Sequence, residues 1–344
     1  MKHNNVMAID LAKNIFQVCV MTKHNKINSN KPMSRAKLIA WLPQQSESLV
    51  AMESCGGASY WARLAKSLGH DVLVMPARQV KAFRTGQKTD ANDAVAIAVA
   101  SQSPNIHPAR YLSSEQQCLQ AIEKMRDMLS KQKSQLSNQV RGLLLEFGLV
   151  INKGSAAFKS RIPEILEDAE NELSIPMRQS LFQLWEFYRV LEEQYQQIDR
   201  RLVELINQNE ECQRLMKLEG VGPISAIKLN LRLAQDHFDK GRQASACIGL
   251  TPRQHSSGGK VRLGPINKVT YDRSLRSVLF LGARAAVSKL KTRPAKTEKE
   301  RWMKALVERR GINCAAIALA NKNVRTAHAL LKNKTDYVAV PLHA

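Results

Sequence analysis

Val6-Met7-Ala8-Ile9-Asp10-Leu11-Ala12-Lys13 is the stretch that decides the fold class. Four apolar residues run directly into a carboxylate, as in a short strand buried on both faces whose last residue reaches a cleft. The pattern returns in Leu49-Val50-Ala51-Met52-Glu53. Ile15 to Met21 and Val72 to Met75 read as further strands, and Ala58 to Leu68 as a helix ahead of the last of them. Ala91 to Ser101 is alanine-rich and unbroken, which predicts a helix with Asp90 at its N-cap. Residues 1–110 therefore predict an α/β domain with acidic side chains at its strand ends.

Working outward, residues 111–150 and 177–212 predict long helices. In the second, Leu181, Leu184, Tyr188, Leu191, Tyr195, Ile198, Leu202 and Leu205 alternate three and four apart, a heptad seam. Such a seam needs a partner, either the 115–148 helix of the same chain or a second copy. Residues 152–176, with Gly154, Pro163 and Pro176, read as the connection between the helices. After Cys212, Gly, Pro, Lys and Arg punctuate short helices as far as Leu331, and the tail from Asn333 reads as loose. The expected division is 1–110, 111–212, 213–334 and a tail at 335–344.

The 344 residues carry 52 Lys+Arg against 30 Asp+Glu, a formal charge of +22. The excess is concentrated: residues 240–310 hold 18 basic and 4 acidic side chains, and residues 111–239 are net acidic. A concentrated excess points to a polyanion, with phosphates the obvious class. No apolar run reaches the roughly 18 residues of a membrane span, and no leader segment is predicted. The six cysteines lie tens of residues apart with no Cys-x-x-Cys pair, which predicts reduced thiols in a cytoplasmic setting.

Four of the six acids in residues 1–110 fall at chemically suggestive places: Asp10, Glu53, Asp90 and Asp93. Asp10 and Glu53 follow apolar strands. Asp90 and Asp93 are three apart at a helix start and share a face. Hard oxygen donors beside a phosphate-binding region suit Mg²⁺, and paired ions can clamp both oxygens of an in-line phosphoryl transfer. Each acid also has a plainer reading as a cap, a helix-dipole partner or a solvated loop residue.

These residues resemble a known family. Ala8-Ile9-Asp10, the Glu53 strand and Lys88-Thr89-Asp90-Ala91-Asn92-Asp93 look like the DEDD transposases of bacterial insertion sequences. The likeness continues in Ile248-Gly249-Leu250-Thr251-Pro252-Arg253-Gln254-His255-Ser256-Ser257-Gly258-Gly259-Lys260 and at Arg273, Leu275 and Arg276. The resemblance implies an RNase-H-like (RuvC-like) N-terminal domain, then a helical coiled-coil segment and a mostly α C-terminal domain. It implies kinship with pilin-inversion recombinases, Mg²⁺ held by the four carboxylates, and Ser257 as a nucleophile. It further implies donor and target DNA as substrates, an element-encoded bridge RNA, a dimer or tetramer, and a nucleoid-associated bacterial protein.

Leu218-Glu219-Gly220-Val221-Gly222-Pro223 is similar to a helix-hairpin-helix turn, in which Gly220 and Gly222 would let backbone N–H groups approach a phosphate. A plain turn between packed helices is the alternative. Ser256, Ser257, Gly258, Gly259 and Lys260 read as a phosphate-binding loop before a basic helix. Arg262, Lys268, Arg273 and Arg276 extend the basic face. Tyr271 lacks the Arg-His context of a tyrosine recombinase, and no Gly-x-Ser-x-Gly elbow or Gly-Lys-Ser/Thr loop is present. The leading expectation is a recombinase; the rivals are a metal nuclease using water and a non-enzymatic nucleic-acid-binding protein.

Overall fold

The computed structural model describes residues 5–235, 238–266 and 272–342. Lys268 and Tyr271 lie outside the described residues. The chain divides into two compact units, Met1–Gln116 with Arg214–Ala344, and Gln117–Gln213.

The N-terminal part is a mixed α/β sheet. β1 (Asn5–Asp10), β2 (Ile15–Thr22) and β3 (Ile27–Ser34) form an antiparallel meander, followed by α1 (Arg35–Trp41) and β4 (Leu49–Glu53). α2 (Ala58–Ser67) then crosses over to β5 (Asp71–Met75), and α3 (Ala77–Val80) and α4 (Asp90–Ser101) complete the element. Strand order is β3-β2-β1-β4-β5, with β4 parallel to both β1 and β5. β3 escapes the sequence reading because Ile27–Ser34 holds Asn, Lys and Pro; it is an edge strand, where a polar face and a proline are tolerated.

Strand alternation sorts the core into two layers. Met7, Ile9, Val50 and Met52 face Leu38 of α1 and Trp61, Ala62 and Ala65 of α2. Val6, Ala8 and Ala51 face the opposite way, against Ala94, Ile97 and Ala98 of α4. Small residues on α4 let it lie close to the sheet. Trp61, 2% exposed, packs edge-on to Phe16 at 4.8 Å, and its truncation to Ala would cost about 3–5 kcal/mol.

The second unit is built on α5 (Ser114–Leu145), α6 (Ser155–Glu167) and α7 (Ile175–Gln208). The expected connection at 152–176 thus holds a helix of its own, with Pro163 inside it. The heptad seam finds partners within the chain. Leu181 and Tyr188 join Val140 and Leu144 of α5 and Phe158 and Ile162 of α6 in one cluster. Further along, Arg126 of α5 bonds Asp199 and the Tyr195 hydroxyl, and Lys133 meets Glu192 at 2.6 Å.

The rest of the chain is mostly helical: α8 (Glu210–Met216), α9 (Pro223–Gln235), α10 (Gly241–Cys247), then a two-stranded ribbon of β6 (Pro252–Ser257) and β7 (Lys260–Ile266). α11 (Arg273–Lys289), α12 (Glu298–Arg310) and α13 (Ile312–Asn333) follow. α13 packs against α9, α10, α11 and α12 and buries Ala316, Leu319, Ala320 and Val324. The tail is not loose. Glu298 N–H donates to Val340 O, Leu342 N–H to Lys296 O, and the Tyr337 hydroxyl donates to Glu219 at 2.9 Å. No helix among the described residues is long and apolar enough to cross a membrane.

Candidate active site

The two strand-end carboxylates converge through parity. Asp10 is in phase with Val6 and Ala8, and Glu53 with Ala51, so both point to the α4 side of the sheet. β1 and β4 are adjacent and parallel, with Ile9 beside Met52, so the two acids leave the same end of neighbouring strands. Asp90 and Asp93 stand in the first turn of α4, which packs on that face. The edge strand fastens this turn: Gln17, paired with Asp10, donates to Asn30, and Asn30 donates to the Ala91 carbonyl at 3.0 Å.

Asp90 is not the N-cap. Thr89 takes that position, its hydroxyl accepting from Asn92 N–H at 3.2 Å, and Asp90 is the first helical residue. A threonine cap leaves the Asp90 carboxylate free of that duty and exposed.

The four acids share one electrostatic field. Burial pushes the half-buried Asp10 carboxyl from the ordinary 3.8 up to about 6, and Asp93, Asp90 and Glu53 add to the rise in that order. Glu53 is also pushed up, by burial and then by Asp93. Two cations oppose the crowding. Lys88 pulls Asp10 down, and Arg84 pulls Glu53 down while pairing with Asp93 at 3.3 Å. The sequence reading missed Arg84 as part of the site; its signal was a basic residue five positions before the cap of an acidic helix.

Crowded carboxylates of this kind suit a divalent cation, because the donors are all hard oxygens and their mutual repulsion is what a cation relieves. Among the described residues, no three acidic, His or Cys side chains already close around one point. The site is therefore a convergent set of acids held apart, with the donor chemistry for a metal and without a collapsed ligand cage.

The proposed serine loop is the tip of the β6–β7 ribbon. Ser257 pairs with Lys260 across Gly258 (φ 54°) and Gly259 (φ 74°), a two-residue turn with both residues left-handed, which glycine permits at little cost. Register separates the two serines. Ser257 shares a face with His255, Lys260 and Arg262, whereas Ser256 lies on the other face with Gln254, Val261 and Leu263. Ser256 accepts from the Gln254 amide at 3.0 Å. Every residue of β6 is exposed. The ribbon was read as a loop because it lacks the apolar alternation of a buried strand. Arg273 is exposed at the start of α11, and Arg276 stands one turn further on; Asp272 caps the helix.

The Gly220 turn serves packing. A Cβ on Gly220 (φ +78°) would stand 2.5 Å from the Gly282 carbonyl oxygen of α11, and one on Gly282 would strike the Gly220 carbonyl in return. Glu219 binds Lys299 and Tyr337, and Asn323 of α13 donates to the Glu219 carbonyl at 2.8 Å. Removing one partner from such a part-buried pair leaves the other charge uncompensated. Gly222 has open space around it and is exposed, so it alone of the two glycines is presented at the surface.

The chain's relatives agree with one another. A model of DEDD-type IS110 domains, described as a transposase, matches residues 7–148, which contain all four carboxylates. A second, described as a transposase of the IS116/IS110/IS902 family, matches residues 212–300, which contain the Gly220 turn and the ribbon. A probable family 20 transposase of Pseudomonas aeruginosa is 38% identical over 96% of this chain and 98% of its own. The transposase for insertion sequence element IS1111A of Coxiella burnetii is 36% identical over 98% and 92%. That for IS1328 of Yersinia enterocolitica is 34% identical over 98% and 99%. With its acids at converging strand ends and relatives matched over nearly their full lengths, the chain belongs to the IS116/IS110/IS902 family of transposases.

Proposed function

We propose that this transposase cuts and rejoins DNA strands with two sets of groups, the carboxylates Asp10, Glu53, Asp90 and Asp93 and the ribbon hydroxyl of Ser257. The observation that carries the reading is the convergence of the four acids on one side of one sheet end. The order β3-β2-β1-β4-β5, with β2 antiparallel and β4 parallel to the central strand, supports an RNase-H-like fold for residues 1–110. Asp10, Glu53, Asp90 and Asp93 are the residues that would hold Mg²⁺. Bound there, the ion would supply charge to stabilise the phosphorane-like transition state.

Ser257 is the proposed nucleophile. Its hydroxyl gives up its proton as Oγ forms a bond to phosphorus, the P–O bond to the departing sugar breaks, and the freed oxygen takes up a proton in turn, so none is gained or lost overall. The product is a phosphoserine ester that a second strand's hydroxyl reverses. Lys260 directly opposite, with His255 and Arg262 on the same face, supports phosphate placement there. Gly222, Gly258, Arg273 and Arg276 extend the proposed DNA contacts, as does Lys268. Gly220 is better explained by its packing.

We extend the reading to a homo-oligomer and to a bridge RNA. Exposed Phe182, Phe187 and Val190 on α7 supply apolar surface for a second copy. For the RNA, the support is the family resemblance; RNA that co-purifies and maps to DNA flanking the coding region is the expected finding.

The deciding experiment uses a nicked duplex substrate with Mg²⁺ and denaturing gels. A protease-sensitive slow band is expected for the native chain and is absent for Ser257→Ala, while Ser256→Ala retains it. Cleavage by Ser257→Ala that leaves hydroxyl and phosphate ends would assign the attack to water and make the protein a metal nuclease.

A further inference from the structure

A groove of about 1260 Å³ runs between α10, the root of the β6–β7 ribbon, α12 and α13. Its floor is apolar, formed by Leu250, Trp302, Ile317 and Ala318. Lys240, Arg242, Lys322 and Arg325 line it as well, and among the described residues no Asp or Glu does. Arg242 and Arg325 are exposed. Lys322 Nζ lies 4.8 Å from the centroid of the Trp302 ring, so that an aromatic face and a cation stand together in the groove. None of these residues belongs to the carboxylate set or to the Ser257 face of the ribbon.

We infer that this groove holds an unpaired stretch of nucleic-acid strand, its bases on the apolar floor and its phosphates on the cationic rim. Complementarity of charge and apolar surface selects the occupant. Cations without lining acids select a polyanion. A paired duplex offers phosphates and groove edges but keeps its base faces stacked, so it leaves the apolar floor uncovered. An unpaired strand offers both, and base stacking on an aromatic ring with basic neighbours is the physics of single-strand sites. A second copy of the chain would bring the same cationic rim against itself. The inference rests on the nucleic-acid reading above for the class of partner, and adds the form of the strand and the place where it sits.

The test uses the full chain and three labelled probes at physiological salt: short oligo-dT, oligo-rU of equal length, and a duplex of equal length. The native chain should bind oligo-dT or oligo-rU with quenching of tryptophan fluorescence; the tighter of the two names the source of the strand. The double variant Arg242→Glu with Arg325→Glu changes exposed side chains only. It should weaken single-strand binding by about tenfold and leave duplex binding within about twofold. Trp302→Phe keeps an aromatic ring in place and should remove most of the quenching. An unchanged oligomer affinity in the double variant overturns the inference while leaving the DNA reading intact. So does an equal loss of duplex affinity, which would make the groove part of a general cationic face. If the double variant instead changes the oligomeric state with no effect on oligomer binding, the groove belongs to a second copy. A native chain that binds none of the three probes overturns the nucleic-acid reading itself.

Discussion

The carboxylate site and the serine ribbon are built in opposite ways. Asp10 and Glu53 end strands whose preceding residues are fully buried, so the core fixes their directions. Ser257 sits on a ribbon with every β6 residue exposed and with Val261 and Leu263 at 61% and 70% exposure. An isolated two-stranded ribbon is marginal in water. One set of groups is positioned by the core and carries electrostatic strain; the other stands on an exposed ribbon.

That contrast is open to attack by mutation. The largest effect is expected for Asp10→Asn, which should lower strand transfer at least about 10³-fold, since several kcal/mol of transition-state charge stabilisation are lost. The same change should raise the melting temperature of the metal-free protein, because it removes a crowded charge. Ser257→Ala should be equally inactive with an unchanged melting temperature. If Asp10→Asn melts lower than the native chain, the acids are structural and the contrast fails.

Next comes a pair of glycines. Gly220→Ala forces a Cβ to 2.5 Å from backbone and should cost about 3 kcal/mol or more, seen in denaturant melts. Gly258→Ala meets nothing within 4 Å and should cost about 1–2 kcal/mol of left-handed strain, confined to the ribbon. Equal losses would mean that the ribbon is part of the folded core.

Arg84→Ala should lower activity by about tenfold and weaken Mg²⁺ binding, the usual scale for a residue that orients ligands. It removes the partner of Asp93 and the cation that holds Glu53 down. Its pH–activity profile should therefore move its acid limb upward; a profile that falls without shifting would give Arg84 a purely structural role.

The smallest effect is in pH. Asp10 titrates at about 6 in the folded chain against 3.8 ordinarily, so the folded state binds that proton more tightly. Ionising Asp10 then destabilises the fold: nothing is lost below 3.8, the penalty grows between 3.8 and 6, and it is complete above. The melting-temperature gap between Asp10→Asn and the native chain should open by a few degrees across that window. Mg²⁺ should close it by stabilising only the native chain.

The residue order alone determined a good deal. Apolar runs ending in Asp10 and Glu53 announced buried strands, because a central strand is covered on both faces and cannot hide its pattern. Asp90 and Asp93 announced a helix start for the same local reason. The heptad seam on α7 announced a partner but not which one, since any apolar surface would satisfy it. Four things waited for the tertiary structure. β3 and the ribbon were illegible because exposed strands need no apolar alternation. Thr89 and Asp90 are both competent caps, and only backbone geometry chose between them. Gly220 read equally as a phosphate turn or a plain turn, and its close contact with Gly282, sixty-two positions away, was invisible in the residue order. The shared field of the four acids belongs to the tertiary structure as well. Local sequence fixes how each segment curls and which side it buries, but charge–charge coupling and close backbone contact depend on distances through space, and those exist only once the sheet and its covering helix have closed on each other.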